Sequence, residues 1–301
     1  MELIDHSIKL DKQSDRIEIF YFGDCHIGKR NCAESAIRKQ VREVLKRSET
    51  RIVRVIFGGD LCDYVKPGDI KRFNINVLAD WLVRGTPDEI RERLNDVADH
   101  QLKRALDIFW PIRHLAIGAI EGNHEYSMMH HNNFNMQRAF CGAMECPDLS
   151  DEALIRLRFS CKNTTVRAVV THYVQHGHGG GRTAGAEPNK LARLQSDWEN
   201  ADIIMCGHTH TPCKLPPKPV LHIPRTGKLP EELDTRYRFI GNWGCWLYSH
   251  SRGPSSYESR ASYPARPMMT MKTVIWPMYR VQTGGRDRVM PKIEMREYSI
   301  L

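Results

Sequence analysis

The sequence contains no run of about 18 uncharged apolar residues, the length that a membrane-spanning helix needs. Its first residues, Met1 to His6, lack the basic-then-apolar order of a secretion signal. The nine cysteines form no CxxC pair, so neither a disulfide framework nor a zinc ribbon is indicated. We therefore expect a protein of a reducing, cytoplasmic setting with no membrane partner.

Length, apolar content and positive charge are what the sequence does have. Its 301 residues allow one large domain with insertions, and we expect a single domain over residues 1–301. A hydrophobic content of 41% is enough for a sizeable core. The formal net charge of +8 and the pI near 9.0 favour polyanionic partners, nucleic acid among them. A soluble basic surface is the alternative explanation of that charge.

Polar turns follow several predicted strands. The apolar run over residues 52–57 is typical of a buried parallel strand, and Asp60 comes after the two glycines that follow it. Open α/β folds place their functional sites at the carboxyl ends of such strands. The same arrangement recurs five times, each time with a side chain that could bind a metal. The five segments are GDCHIG (23–28), GGDLCD (58–63), GNHE (122–125), QHG (175–177) and GHTH (207–210).

Three histidines compete for one ligand position after the strand predicted over residues 166–174. His172 and His176 have the same parity, so alternation predicts that they face the same side. His176 is preferred because it lies where the strand ends, and His172 is the alternative. The glycines that follow would let a phosphate approach backbone N–H groups, with His178 and Arg182 as substrate-binding residues. A flexible surface loop is the other interpretation of this stretch.

Helical patterns connect these strands. A helix is predicted over residues 33–47, a helical insertion over about 64–113 with one long helix over 86–109, and an irregular helix over 126–146. Further predicted elements are strands over 16–22, 115–120, 153–159, 201–206 and 238–243 and a helix over 191–198. Irregular loops are expected over about 212–235 and 249–270, and a hairpin of 273–281 with 293–298 across the glycines at 284 and 285. Periodicity alone thus predicts an α/β fold.

The five segments together resemble the calcineurin-like metallophosphoesterase superfamily, whose pattern is DxH, GDxxD, GNH[ED], a later His, and GHxH. Every block is present in the family's order, and the resemblance spans about residues 17–243. The motif HGxGGGRTxG at 176–185 and the helical insertion also resemble a phage- and prophage-associated branch of this superfamily. The resemblance implies a four-layer α/β/β/α sandwich of two mixed sheets with a helical insertion.

The resemblance also implies a centre of two divalent ions, with manganese as the first expectation and iron, zinc or nickel as alternatives. Asp60 would bridge both ions with its two carboxylate oxygens. The remaining ligands implied are Asp24, His26 and His210 for one ion, and Asn123, His208 and His176 (or His172) for the other.

The family's mechanism implies attack on phosphorus by a hydroxide between the two ions. His124 would contact the substrate and assist the leaving oxygen as a general acid or by stabilising the transition state. Asp63 and Glu125 would orient ligand histidines rather than bind metal.

Three functions remain open at this point. The first is a phosphodiesterase or nuclease acting on nucleic acid, favoured by the basic charge and by the loop residues Lys214, Lys218, Arg225 and Lys228. The second is a phosphatase or small-phosphodiester hydrolase acting on nucleotides or phosphoproteins, with the insertion covering a small pocket. The third is a non-catalytic, metal-stabilised scaffold, which the complete set of potential ligands disfavours. The oligomeric state is not predicted.

Overall fold

A computed structural model describes residues 1–69, 73–180, 183, 185–198, 200–222, 234–249, 268–283 and 286–299. In chain order its strands are β1 (Glu2–Leu10), β2 (Ile17–Phe22), β3 (Ile52–Phe57), β4 (Ala116–Ala119), β5 (Glu152–Cys161), β6 (Arg167–Gln175), β7 (Ile203–Cys206), β8 (Cys213–Lys214), β9 (Lys218–His222), β10 (Asp234–Asn242), β11 (Met269–Trp276), β12 (Arg280–Thr283), β13 (Arg286–Val289) and β14 (Lys292–Ser299). The α-helices are α1 (Glu34–Ser48), α2 (Asp80–Val83), α3 (Pro87–Asn95), α4 (Val97–Phe109), α5 (Asn123–Asn132), α6 (Met136–Met144) and α7 (Ala186–Asp197), and short 3-10 helices cover Ile75–Val77 and Trp110–Leu115.

Two mixed sheets form the centre of the molecule. The first has the order β14-β11-β2-β3-β4, in which β2, β3 and β4 run parallel and β11 and β14 antiparallel to their neighbours. The second has the order β1-β5-β6-β7-β10-β8, and β9 also pairs with β10. In it β6, β7 and β10 run parallel. The carboxyl ends of the parallel strands in both sheets precede the five polar segments.

Apolar side chains alternate across each sheet and produce four layers. Ile19 and Tyr21 of β2 point between the two sheets, where they pack with residues of β6 and β7. Phe20 and Phe22 of the same strand point the other way, into a core shared with α1, α4 and α6. A third core joins the outer face of the second sheet to α7 through Leu191. Because both faces of β2 and β3 are buried, their sequences are apolar except for Glu18 and Arg54. The predicted α/β/β/α sandwich is thereby confirmed.

Two stretches that the sequence predicts as single helices are each interrupted in the structure. The long helix predicted over 86–109 is two helices, α3 and α4, separated at Asp96 (φ −121°, ψ 36°). Thr86 begins α3 as predicted, because its side chain accepts the N–H of Glu89 while the Glu89 carboxylate accepts the N–H of Thr86. The stretch over 126–146 is also two helices, α5 and α6, and Asn133 between them is left-handed (φ 53°).

Three strand predictions need correction. β1 has no counterpart among the predicted elements, and it pairs with β5 in parallel from Glu2 to Leu10. The predicted pairing of 273–281 with 293–298 is right for β11 and β14, but β12 and β13 form a separate two-stranded ribbon between them. The loop predicted over 212–235 contains β8, β9 and the start of β10. Its residues 223–233, residues 250–267 of the second predicted loop, and the glycines 284 and 285 lie outside the described residues.

None of the described helices combines the length and the apolar content that a membrane-spanning segment requires.

Candidate metal centre

The first two polar turns are joined by backbone hydrogen bonds beyond the ends of their strands. The N–H of Asp24 donates to the carbonyl of Gly59 at 2.9 Å, and the N–H of His26 donates to the carbonyl of Asp60 at 2.9 Å. A further bond from Ile27 to Leu61 continues this ladder. The pairing of β2 with β3 thus extends through the turns and fixes the side chains of Asp24, His26 and Asp60 relative to one another.

Left-handed backbone conformations mark these turns. Asp24, His26, Asp60, His208 and His210 have φ values of 50°, 47°, 49°, 70° and 56°. Such conformations are uncommon for residues other than glycine and are concentrated at functional sites, where the surrounding structure holds them in place. They turn five side chains away from the regular strand direction and toward a common space.

Asp24, His26 and His210, which we call the first donor group, lie together at this edge. The Nε2 atoms of His26 and His210 are 3.1 Å apart, and Nε2 of His210 is 3.2 Å from Oδ1 of Asp24. Burial, together with the nearby Lys29 ammonium, lowers the pKa of His26 to about 4. A neutral imidazole is the form that binds metals, so His26 is ready to act as a ligand.

Asn123, His176 and His208, the second donor group, lie beside the first. Oδ1 of Asn123 is 2.8 Å from Nδ1 of His208 and 3.2 Å from Nε2 of His176. Nδ1 of His176 donates to the carbonyl of Gly58 at 2.8 Å, so in the neutral imidazole Nε2 carries the lone pair. Burial opposes protonation of His176, but the carboxylate of Asp60 raises its pKa to about 10. A cation and a proton therefore compete for this nitrogen.

Asp60 lies between the two donor groups. Its Oδ2 is 3.3 Å from Nε2 of His176 and 3.9 Å from Nε2 of His26. Its Oδ1 accepts the backbone N–H of His124 at 2.9 Å. Burial works against ionisation, yet the neighbouring His176 and His124 hold the pKa of Asp60 well below its usual value. Oδ2 thus lies near a histidine of each group, while Oδ1 accepts a backbone N–H.

The residues that follow the second and third strands support the donor groups. Nδ1 of His124 contacts the carbonyl oxygen of Asp63, and Oδ1 of Asp63 is 3.6 Å from Nδ1 of His26. Glu125 accepts three backbone N–H groups, those of Asp60, Leu61 and Gly122, at 2.9, 3.0 and 3.1 Å. Glu125 therefore holds the second and third turns together and contacts no ligand side chain in these bonds.

A buried tryptophan that the sequence reasoning missed lies beneath the centre. Nε1 of Trp243 donates to Oδ2 of Asp24 at 2.8 Å. A Cβ added to Gly23, Gly58 or Gly207 would collide with its indole ring, so all three turns pack directly against it. The glycines that precede the ligands were thus a usable signal for a large side chain below them.

A buried polar network holds the last turn, and sequence reasoning missed it as well. The Thr209 hydroxyl, between the two ligand-capable histidines, donates to Oε2 of Glu187 on α7 at 2.7 Å. Nδ2 of Asn242 donates to Oε1 of Glu187 at 2.7 Å and to the carbonyl of Gly207 at 3.2 Å. Because these groups are separated by more than 20 residues of sequence, no local pattern identifies them.

The remaining predicted site residues lie elsewhere. His172 is fully buried between the sheets, with Nε2 3.3 Å from the hydroxyl of Tyr21, and it belongs to neither donor group. Alternation does not relate it to His176 because β6 ends at Gln175. His178 is exposed and lines a cavity beside α7. Arg182 lies outside the described residues.

The donor atoms fit a metal centre by number and type. Among the described residues, three sets have ligand atoms within 4.8 Å of one another. These are Asp24, His26 and His210; Asp60, His176 and His208; and His26, Asp63 and His124. Imidazole nitrogens and carboxylate oxygens that face one another in this way are donor atoms of the types that divalent cations bind.

Comparison with known proteins identifies one family. The model of the calcineurin-like phosphoesterase family matches residues 17–212, more than half of the chain. No curated protein matches the sequence. A crystal structure of a conserved uncharacterized protein from Streptococcus pneumoniae TIGR4, described as a predicted phosphoesterase, aligns over 93% of this chain and 98% of its own, with 10% identity and a TM-score of 0.33. So low a score supports no argument about function. These matches do not address the phage-associated branch.

Proposed function

The chain belongs to the calcineurin-like phosphoesterase family, and on that basis we propose that it hydrolyses phosphate esters with two divalent ions bound at the strand ends. The observation that carries this proposal is the convergence of both donor groups on Asp60. Imidazole nitrogens mixed with carboxylate and amide oxygens suit manganese, iron, zinc or nickel better than calcium. Manganese is the ion to test first.

The donor groups suggest which residues hold each ion. Asp24, His26 and His210 would bind one ion, and Asn123, His176 and His208 would bind the other. Asp60, which lies between the two groups, would contact both ions, while its Oδ1 accepts the N–H of His124. His172 has no part in this assignment, since Tyr21 and the space between the sheets surround it.

Two bound divalent ions would supply a water of lowered pKa and would offset the charge of the phosphate. The protein's own contribution is positioning and proton transfer. Because the carbonyl of Asp63 engages Nδ1 of His124, Nε2 is the nitrogen that can face a substrate, and it lies 4.0 Å from Oδ2 of Asp60. A proton on that Nε2 would pass to the leaving oxygen.

We take a nucleic acid phosphodiester as the substrate to test first, supported by the net charge of +8. A nucleotide, phosphoprotein or other small phosphoester is the second candidate, supported by a cavity of about 750 Å³ that is lined by Gln175 and His178, on either side of His176 in sequence. The scaffold hypothesis is weaker, because every residue of both donor groups has an atom that can bind a metal.

The test is hydrolysis by the manganese-loaded protein of bis-p-nitrophenyl phosphate, p-nitrophenyl phosphate, and single- and double-stranded DNA. His124→Ala should lower the rate by about 100-fold to 10,000-fold while the bound manganese stays near two ions per chain. Asp60→Asn should lose bound metal as well as activity. His131→Ala, on the exposed part of α5, is the matched control and should behave as the parent protein does.

Each outcome has a defined meaning. Cleavage of the diester and of DNA supports the phosphodiesterase, whereas turnover of the monoester alone supports a phosphatase. If the loaded parent protein cleaves none of these substrates, or if His124→Ala is as active as the parent, the proposed mechanism is wrong.

A further inference from the structure

A cavity of about 750 Å³ lies on the outer side of the second sheet, and its lining includes Gln175, the residue before His176. It is lined by residues of β5, β6 and α7 and by His178, two residues after His176. The side chains of Asn189, Lys190 and Arg193 line it from the first two turns of α7. The cavity therefore lies between the helix and the turn that carries one of the ligand histidines.

The ammonium of Lys190 is buried at this place, and no ion pair joins it to an acidic group of the described residues. Its Nζ is inaccessible to water and has no hydrogen-bond partner within the described part of the chain. A Cβ added to Gly177 would lie 3.2 Å from this Nζ and 3.8 Å from the carbonyl oxygen of Gly207. Gly177 and Gly207 directly adjoin the ligand histidines 176 and 208 in sequence. The ammonium is thus next to the backbone of two ligand turns.

An unpaired buried charge is costly, so one that persists calls for a partner that the polypeptide does not provide. Arg193, one turn further along α7, is exposed, and no ion pair or hydrogen bond involves it among the described residues. The acidic groups of the cavity are placed differently. Glu152 is engaged by the hydroxyl of Tyr173, and Asp197 lies in the last turn of α7. Lys190 and Arg193 are therefore the two basic groups of the cavity that have no partner among the described residues, whereas Glu152, opposite Gln175 on the neighbouring strand, is engaged by Tyr173.

From this placement we infer that the cavity binds a second phosphate of the substrate, next to the one that is hydrolysed. Arg193 contacts this phosphate from the exposed side, since a guanidinium can form two parallel bonds to a phosphate. Lys190, whose ammonium is inaccessible to water, supplies positive charge from beneath this phosphate. The inference rests on the proposed function and narrows it to nucleotides or nucleic acid strands with at least two phosphates.

The test compares two substrates with the same scissile bond, using the manganese-loaded protein. They are the p-nitrophenyl ester of thymidine 5′-phosphate and the same ester with an added 3′-phosphate. The parent protein should prefer the second by kcat/KM, mainly through KM. Arg193→Gln and Lys190→Gln should each reduce this preference by about 10-fold to 100-fold. Lys103→Gln, an exposed lysine on α4, is the control and should keep the parent's preference.

Calorimetry supplies a readout that does not depend on hydrolysis. Thymidine 3′,5′-diphosphate should bind the loaded protein at least about tenfold more tightly than thymidine 5′-phosphate does, and Arg193→Gln should abolish the difference. Because Arg193 is exposed, its variant is expected to fold even if Lys190→Gln does not. A third ester, with an internucleotide phosphate in place of the 3′-phosphate, separates the two sources of the group. Preference for it indicates a nucleic acid strand, and preference for the terminal phosphate indicates a nucleotide.

Equal kcat/KM for all three esters together with equal binding of the two nucleotides would overturn the inference and leave the phosphoesterase intact. If neither ester is hydrolysed but the diphosphate binds more tightly, the proposed hydrolysis is wrong while the phosphate subsite stands.

Discussion

Replacing Trp243 by Phe should weaken metal binding through a contact that lies beneath the centre. The indole N–H donates to Oδ2 of Asp24 at 2.8 Å, and both side chains are at most 1% exposed. Phe keeps most of the ring that packs under Gly23, Gly58 and Gly207 but has no N–H. Oδ2 then keeps the longer bond of 3.1 Å from the N–H of His208, which that donor shares with Oδ1.

The magnitude follows from the charge of the acceptor. A hydrogen bond to an ionised group contributes about 1.5–3 kcal/mol, and about 1.4 kcal/mol corresponds to a tenfold change in affinity. Loss of a partner that orients a metal ligand typically weakens metal binding by about 10-fold to 100-fold. Trp243→Phe should therefore weaken manganese binding by about that factor at Asp24, His26 and His210, where we propose one of the two ions, with less effect on the other proposed ion.

The assay is calorimetric titration of the metal-free protein with manganese, with urea unfolding as a parallel measure of stability. Trp246→Phe is the matched control. Its indole is equally buried and stacks on Phe22, while its backbone N–H, which the substitution retains, donates to the carbonyl of Asp24. Equal loss of manganese affinity in both variants, or none in Trp243→Phe, would refute the reasoning.

Three further predictions concern stability. Burial lowers the pKa of His172 to about 3 in the folded protein, whereas an unfolded chain takes up this proton near pH 6.5. The free energy of unfolding should therefore fall by up to about 1.4 kcal/mol for each pH unit below 6.5. His172→Phe should make urea unfolding measurably less sensitive to pH between 7 and 5. Burial opposes the ionisation of Glu18, but the ammonium of Lys272 at 2.9 Å lowers its pKa. The ion pair therefore contributes fully to the free energy of unfolding above pH 4.5, and this contribution is lost as the pH falls through the pKa of Glu18 in the folded protein. Glu18→Gln should cost about 3–5 kcal/mol at pH 7 in the same assay, and the difference from the parent should shrink in acid. Thr209→Val should cost about 1–3 kcal/mol in thermal or urea unfolding, because the buried Glu187 loses a donor, and a variant as stable as the parent would contradict the network.

The sequence predicted the strand-end segments because their signal is local. A buried parallel strand is a short apolar run, and the side chain after it lies at the edge where neighbouring strands also end. The turns at Asp24 and Asp60 could therefore be placed together before their contacts were known. The resemblance to a known family added the order of the ligands, which strand patterns alone do not supply.

Tertiary contacts and the ends of helices and strands could not be predicted from the sequence, for physical reasons. Trp243 and Glu187 contact the turns only because β10 and α7 pack against the parallel strands, which is a tertiary event with no periodic signal. The break at Asp96 lies between two stretches with the same helical apolar spacing, so periodicity joined them. The sequence predicts His172 as an alternative ligand only if the alternation of side chains along the strand continues to His176, but β6 ends at Gln175.

The backbone explains why the donor pattern is so visible in sequence. Five of the donor residues are left-handed, and for most side chains that conformation costs about 1–2 kcal/mol per residue. Asp, Asn and His are the residue types, apart from Gly, that tolerate it best, and they are also metal ligands. A turn that must aim a ligand at a cation from a left-handed position therefore has very few residues to choose from. This restriction explains Asp at positions 24 and 60 and His at 26, 208 and 210. The backbone geometry of the turns and the chemistry of metal binding thus favour the same residue types.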